Sequence, residues 1–183
     1  MRKYAILIIC MMIFLTACVP QKTRVYNEPV SELNIIDDKK HRVHVRDLTW
    51  EIPSHWKKLP PQNMRLDGYQ IKRNTGELAT VTISVFPSMQ GQLLANINRW
   101  RGQLKLGPIS ENELATVYVK KKIGSTPFTY VSLESSQVKL KMLIGIASFH
   151  DQDYFFKIVG DRQYVSEVQD QFIGLLESVT HAQ

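Results

Sequence analysis

The chain predicts an α+β fold in which an antiparallel β-sheet is covered by two amphipathic helices. Three observations carry that prediction. Segments of period-two alternation follow one another across short turns, as neighbouring antiparallel strands do. Two stretches change to a 3.6-residue period, one in mid-chain and one at the C-terminus. The order is therefore strands, helix, strands, helix, and both helices must bury an apolar stripe on a face of the sheet.

The chain has 183 residues, enough for one domain and an additional segment. Met-Arg-Lys opens it with positive charge, and "YAILIICMMIFL" follows as an apolar run. A helix crossing the hydrocarbon core needs about 20 such residues, so this run has the length of a signal-peptide core. It ends in Leu15-Thr16-Ala17-Cys18, which resembles the bacterial lipobox. The resemblance implies cleavage after residue 17 and acylation of the Cys18 thiol. A disulfide offers little alternative, because the second cysteine, Cys10, lies in the segment to be removed. Two or more acyl chains anchor stably, so the mature chain is expected at a membrane surface through its lipid, without a transmembrane helix. Val19 is not the aspartate that commonly retains lipoproteins in an inner membrane. In a cell with two membranes this favours the outer one, facing the periplasm.

Residues 18–46 read as the lipidated N-terminus and a flexible tether: Pro20 and Pro29 punctuate mixed charges, with a short strand near Val43 and Val45. The domain is expected over residues 47–183. Leu48, Trp50 and Ile52 alternate with Thr49 and Glu51 up to Pro53, a half-buried strand. "MRLDGYQIKR", residues 64–73, is a second strand. In "ELATVTISVFP", Ala79, Val81, Ile83 and Val85 share one side, and Pro87 ends the run. Leu93, Ile97, Trp100 and Leu104 then form one helical stripe, closed by Gly107-Pro108. A helical turn around Glu111 to Ala115 leads to "TVYVKKKI", the turn "GSTP", and the strands "FTYVSL", "VKLKMLIGIASF" and "YFFKIV". The turn "HDQD" makes the last two a hairpin. Asp161 is the expected N-cap of a final helix whose stripe is Val165, Val168, Phe172, Leu175, Leu176 and Val179.

"WEIPSHW", "MRLDGYQI", "SVFP" before the mid-chain helix, and "FFKIVG" followed by "FIGLLESV" together resemble the PsbP/Mog-type superfamily, in particular its small (DcrB-like) bacterial lipoproteins. The resemblance covers about residues 46–180 and implies a PsbP/Mog-like α/β sandwich. It implies little about function, since related domains bind protein partners, assist photosynthetic complexes or are unassigned. No plant-type manganese or calcium site carries over to residues of this chain.

The formal charge is +6, and without Arg2 and Lys3 the mature chain holds 21 basic and 17 acidic residues. That surplus is too small to argue for nucleic acid. Lys120, Lys121 and Lys122 read first as a solvated strand or turn. In "NINRWRGQ", Asn96, Asn98, Arg99 and Arg101 flank Trp100, and arginines beside an indole form a fork for carboxylate or phosphate. The competing reading packs Trp100 in the core and leaves the arginines to solvent or local pairs. Arg65 joins these candidates for partner or ligand contact. Trp50 is expected to pack, while Trp56 divides between packing and an exposed anchor. His150, Asp151 and Asp153 share a turn but supply no closed metal set. No triad, nucleophile elbow, phosphate loop or dinucleotide fingerprint occurs, and no cofactor is expected. The chain is thus expected to be a non-catalytic envelope module that binds or scaffolds a protein partner. The alternative is a periplasmic carrier of a small lipid, pigment or anion.

Overall fold

The structure, a computed structural model, describes residues 40–181 apart from 46, 47, 63, 77, 89 and 90. The signal segment, Cys18 and the tether up to residue 39 lie outside the described residues. Strand β1 (Lys40–Val45) pairs antiparallel with β2 (Leu48–Pro53), Val43 opposite Trp50. The short strand expected near Val43 and Val45 is thus present, and it begins earlier, at Lys40. Its register comes from β2, which supplies its hydrogen bonds, and Val43 is buried at 7% exposure. The two-residue β10 (Thr180–His181) pairs on the other side of β2 and completes a three-stranded sheet.

The larger sheet has seven strands, all antiparallel: β3 (Lys57–Lys58), β4 (Asp67–Lys72), β5 (Leu78–Pro87), β6 (Tyr118–Ile123), β7 (Thr126–Ser135), β8 (Leu140–Phe149) and β9 (Gln152–Asp161). Their spatial order is β3-β4-β5-β9-β8-β7-β6. β4 begins three residues later than the sequence pattern suggests. Met64 stands at φ 63 and Arg65 bridges back to Gln62, so a turn occupies the start of that segment. Lys120, Lys121 and Lys122 lie exposed on the edge strand β6, where charge discourages pairing with another chain.

Successive side chains point to opposite faces, so each strand feeds two cores. On one face Val81, Ile83, Phe128, Leu143, Phe156 and Ile158 meet Trp50 and Ile52 of the small sheet and the C-terminal helices. Trp50 stands edge-on to Phe156, with ring centroids 5.5 Å apart. On the other face a single helix, α1 (Leu93–Gln103), lays Ile97, Trp100 and the following Leu104 on Val131, Leu133, Met142, Ile144 and Phe155. A one-turn helix α2 (Glu111–Leu114), closed by a capping box from Ser110 and Glu113, leads into β6.

The C-terminal helix is capped as expected: Asp161 Oδ1 accepts from the amides of Gln163 and Tyr164 at 2.9 and 3.0 Å. It divides at Val168 into α3 (Arg162–Glu167) and α4 (Gln169–Glu177). Helical bonds continue across the division, Val168 N to Tyr164 O at 3.0 Å and Phe172 N to Val168 O at 3.2 Å. The whole predicted stripe is buried. Fold class is thus α+β, with four helical segments among the described residues: the two expected helices, the C-terminal one in two parts, and the expected turn at Glu111–Leu114. None of these helices is long and apolar enough to cross a membrane.

Candidate functional site: a cationic groove beside helix α1

One helix of eleven residues cannot cover a seven-stranded sheet, and beside α1 part of the sheet face stays open. There lies a groove of about 420 Å³, lined by Arg65, Thr82, Phe86, Arg99, Trp100 and Lys157 among others. Strand register explains the meeting. Gly68 stands opposite Thr82, Thr82 opposite Lys157, and Lys157 opposite Ile144, one lateral row on adjacent strands.

Gly68 lacks a side chain, and Arg65 fills that space. A Cβ at Gly68 would lie 2.8 Å from Arg65 Nε and 2.9 Å from Cδ and Cζ. The Arg65 guanidinium also donates to the Pro60 carbonyl, which holds the side chain flat against the strand. Across the groove, Arg99 Nη2 donates to Asn96 Oδ1 at 2.7 Å. Asn96 is only 5% exposed, so it forms a fixed seat for the guanidinium. Lys157 rises from β9 between them. Burial, and then the positive charge of Arg99, hold its amine below the usual lysine range.

None of these three cations pairs with a carboxylate among the described residues, and no acidic residue is among those lining the groove. The floor is apolar. Phe155 packs between Trp100, centroids 6.1 Å apart, and Phe86, centroids 5.8 Å apart, both edge-on. Met64 projects near the rim, 75% exposed. Uncompensated cations over an aromatic floor are equipped to receive an anionic group attached to an apolar body.

A larger hollow of about 590 Å³ lies on the three-stranded sheet, among Arg42, His44, Glu51, Thr180 and His181. Its charges are already satisfied internally. Arg42 and Lys40 pair with Glu51 at 3.0 and 3.3 Å, holding that carboxyl below its ordinary range chiefly through the Arg42 hydrogen bond. The Thr49 and Thr180 hydroxyls bond each other at 2.9 Å.

The sequence candidates divide accordingly. Arg65 and Arg99 meet in the groove, and Asn96 acts behind Arg99. Asn98 and Arg101 do not join them. The Asn98 amide exchanges hydrogen bonds with the backbone of Ile109, at 3.0 and 2.8 Å, and Arg101 Nε donates to the Gly107 carbonyl at 2.7 Å. Both tie the segment after α1 back onto the helix. Trp100 packs, as its helical spacing implies, while one edge of it lines the groove. Trp56 also packs: it is 4% exposed, on the opposite face of the sheet, and its indole N–H donates to Gln171 Oε1 at 3.1 Å. It offers no exposed anchor, because Tyr69 and α4 enclose it. Asp153 is turned inward and accepts from Ser148 Oγ at 2.7 Å. No group of three metal-ligating side chains occurs among the described residues. Sequence reasoning missed Lys157 and Thr82. The signal for Lys157 was there, a lone cation inside the apolar strand "YFFKIV".

No known protein family matches the sequence, and no curated protein is detectably similar to it. The fold does have solved counterparts. Cyanobacterial PsbP (CyanoP) from Synechocystis superposes with a TM-score of 0.52 at 11% identity, covering 85% of this chain and 100% of that one. The fold is PsbP-like. That is the architecture implied by the resemblance in sequence, and at this identity the likeness concerns architecture alone. Two weaker similarities are a Bacteroides thetaiotaomicron protein and LpqN of Mycobacterium tuberculosis, the latter described as involved in cell envelope biogenesis. Their TM-scores are 0.48 and 0.45, at 11% and 13% identity, covering 81% and 79% of this chain. They are matched over 50% and 91% of their own lengths, so this chain spans half of the Bacteroides protein.

Proposed function

We propose that this protein is an envelope lipoprotein, held at a membrane surface through acylated Cys18, that works as a non-catalytic binding module. In this reading the groove beside α1 engages a partner of the envelope through an anionic group. The observation that carries it is the convergence of Arg65, Arg99 and Lys157 with no carboxylate paired to them among the described residues. Such an arrangement is costly to hold empty and gains from an incoming anion. Among the described residues the lining offers cations, hydroxyls and aromatic rings, a set suited to holding an anion against an apolar surface. A lipid anchor would concentrate the module at the bilayer, where a modest groove affinity suffices.

The test places a photo-crosslinking amino acid at Gln103, an exposed groove residue, in cells fed a palmitate analogue. A lipid-labelled protein that captures one partner from Gln103, and not from a control position on β6, is the expected result. An unlabelled chain, or capture indifferent to position, overturns the reading.

The carrier alternative has one observation in its favour, a volume of about 420 Å³ over an apolar floor, which suits a small molecule. Ile97 and Leu104 fill the interface between α1 and the sheet. A carried ligand would therefore sit in the open groove rather than in an enclosed chamber.

A further inference from the structure

We propose that the groove is a phosphate site, selective for a doubly charged tetrahedral oxyanion over a carboxylate. The inference rests on the reading of the groove as the recognition site and assigns the chemistry of what it recognises.

Charge comes first. Arg65 enters from the segment before β4, Arg99 from α1 and Lys157 from β9, and no acidic side chain among the described residues lines the space between them. A singly charged carboxylate would leave two cations uncompensated beside an apolar floor, whereas a phosphate dianion leaves one. Burial, and then the charge of Arg99, hold the Lys157 amine below its usual range. A dianion set between them turns that repulsion into two attractions.

Geometry agrees. Gly68, Thr82 and Lys157 occupy one row on three adjacent strands. Strands are about 4.8 Å apart, so the Gly68 and Lys157 backbones stand roughly 1 nm apart, with Thr82 midway. Arg65 lies over Gly68 at one end, Lys157 rises at the other, Thr82 lines the floor between them, and Arg99 approaches from the helix. Donors thus come from several directions, which suits the oxygens of a tetrahedron; a planar carboxylate engages donors best in its own plane. Both guanidiniums are already seated, Arg65 on the Pro60 carbonyl and Arg99 on Asn96, so little side-chain freedom is lost on binding. Beside the cations, Phe86, Phe155 and Trp100 form an apolar wall able to pack against whatever carries the phosphate.

The experiment uses the full chain in non-ionic detergent at slightly alkaline pH and constant ionic strength. Inorganic phosphate, acetate and dihexanoyl phosphatidic acid are titrated calorimetrically, with tryptophan emission as a second readout. Trp100 borders the groove, while Trp50 and Trp56 lie across the sheet. Phosphate should bind at least about tenfold more tightly than acetate, and Arg99→Gln or Arg65→Gln should each weaken it about tenfold with the melting temperature retained. Tighter binding of the phosphatidic acid than of inorganic phosphate supports the site with a lipid headgroup as its source. Equal binding supports it with a soluble phosphate as its source. Acetate binding as well as phosphate, absence of phosphate binding, or indifference to both substitutions overturns the inference. If phosphate fails while Gln103 still captures its partner, only the phosphate assignment falls; if both fail, the reading of the groove falls with it.

Discussion

Replacing Trp56 by alanine should destabilise the protein strongly, and the size of the effect follows from where the side chain sits. It is 4% exposed, packs at 6.1 Å from the Tyr69 ring, and donates its indole N–H to Gln171 of α4. Truncating a buried tryptophan costs about 3–5 kcal/mol through lost transfer energy and the cavity left behind. At about 2–4 °C per kcal/mol for a domain of this size, the melting temperature should fall on the order of 10 °C. Phenylalanine keeps most of the ring and loses the hydrogen bond, whose acceptor Gln171 is exposed and can turn to water. Trp56→Phe should therefore cost about 1–2 kcal/mol. Thermal melts followed by circular dichroism, with urea midpoints as a check, measure both. An alanine variant melting within about 2 °C of the parent refutes the packing argument and returns Trp56 to the surface. The prediction has a practical corollary: lost binding in Trp56→Ala reports unfolding, so partner contacts are better probed at Arg99.

Other expectations follow from single contacts. Asp161→Ala removes the acceptor for two amides at the start of α3 and should cost about 1 kcal/mol, read from urea midpoints, with Asp161→Asn retaining most of it. Gly68→Ala should displace the Arg65 side chain, whose Nε lies 2.8 Å from the added carbon. Stability should stay within about 1 kcal/mol of the parent, because the added carbon meets side-chain rather than backbone atoms and alanine reduces the freedom of the unfolded chain, while groove binding drops as it does in Arg65→Gln. Lys157→Met should raise the melting temperature at neutral pH. Burial, and then the charge of Arg99, hold the Lys157 amine below its ordinary 10.5, so the folded state carries a cost for the charged form that methionine removes. As pH rises through the lowered pKa towards 10.5, the unfolded state holds more protons and the parent gains stability relative to the variant. The difference between the two melting temperatures should shrink across that window, and a pH-independent difference contradicts the assignment.

Local periodicity made most of the fold legible. Ala79, Val81 and Ile83 point inward from β5, and Ile97, Trp100 and Leu104 anchor the α1 end as a stripe at helical spacing must. Elements that borrow their hydrogen bonds from distant partners were not legible. β3 and β10 have two residues each, too few for any period. The division at Val168 left no trace either, since the same six apolar positions suit a straight helix and a bent one. For the groove, side-chain chemistry singled out Arg65 and Arg99, because an arginine beside an aromatic ring invites an anion in any context. It could not separate them from Arg101, two positions on from Arg99, which turns away to the Gly107 carbonyl.

Sequence alone thus determined which residues pair by period, where the helices lie and which of them begins at Asp161, because those choices depend on neighbours within a turn or a strand. Tertiary structure alone decided that Gly68, Thr82 and Lys157 fall in one row. It also decided that Arg65 and Arg99 close over that row while Trp56 is buried on the opposite face. Strand order and register join residues far apart along the chain, and no local pattern encodes the distance between them.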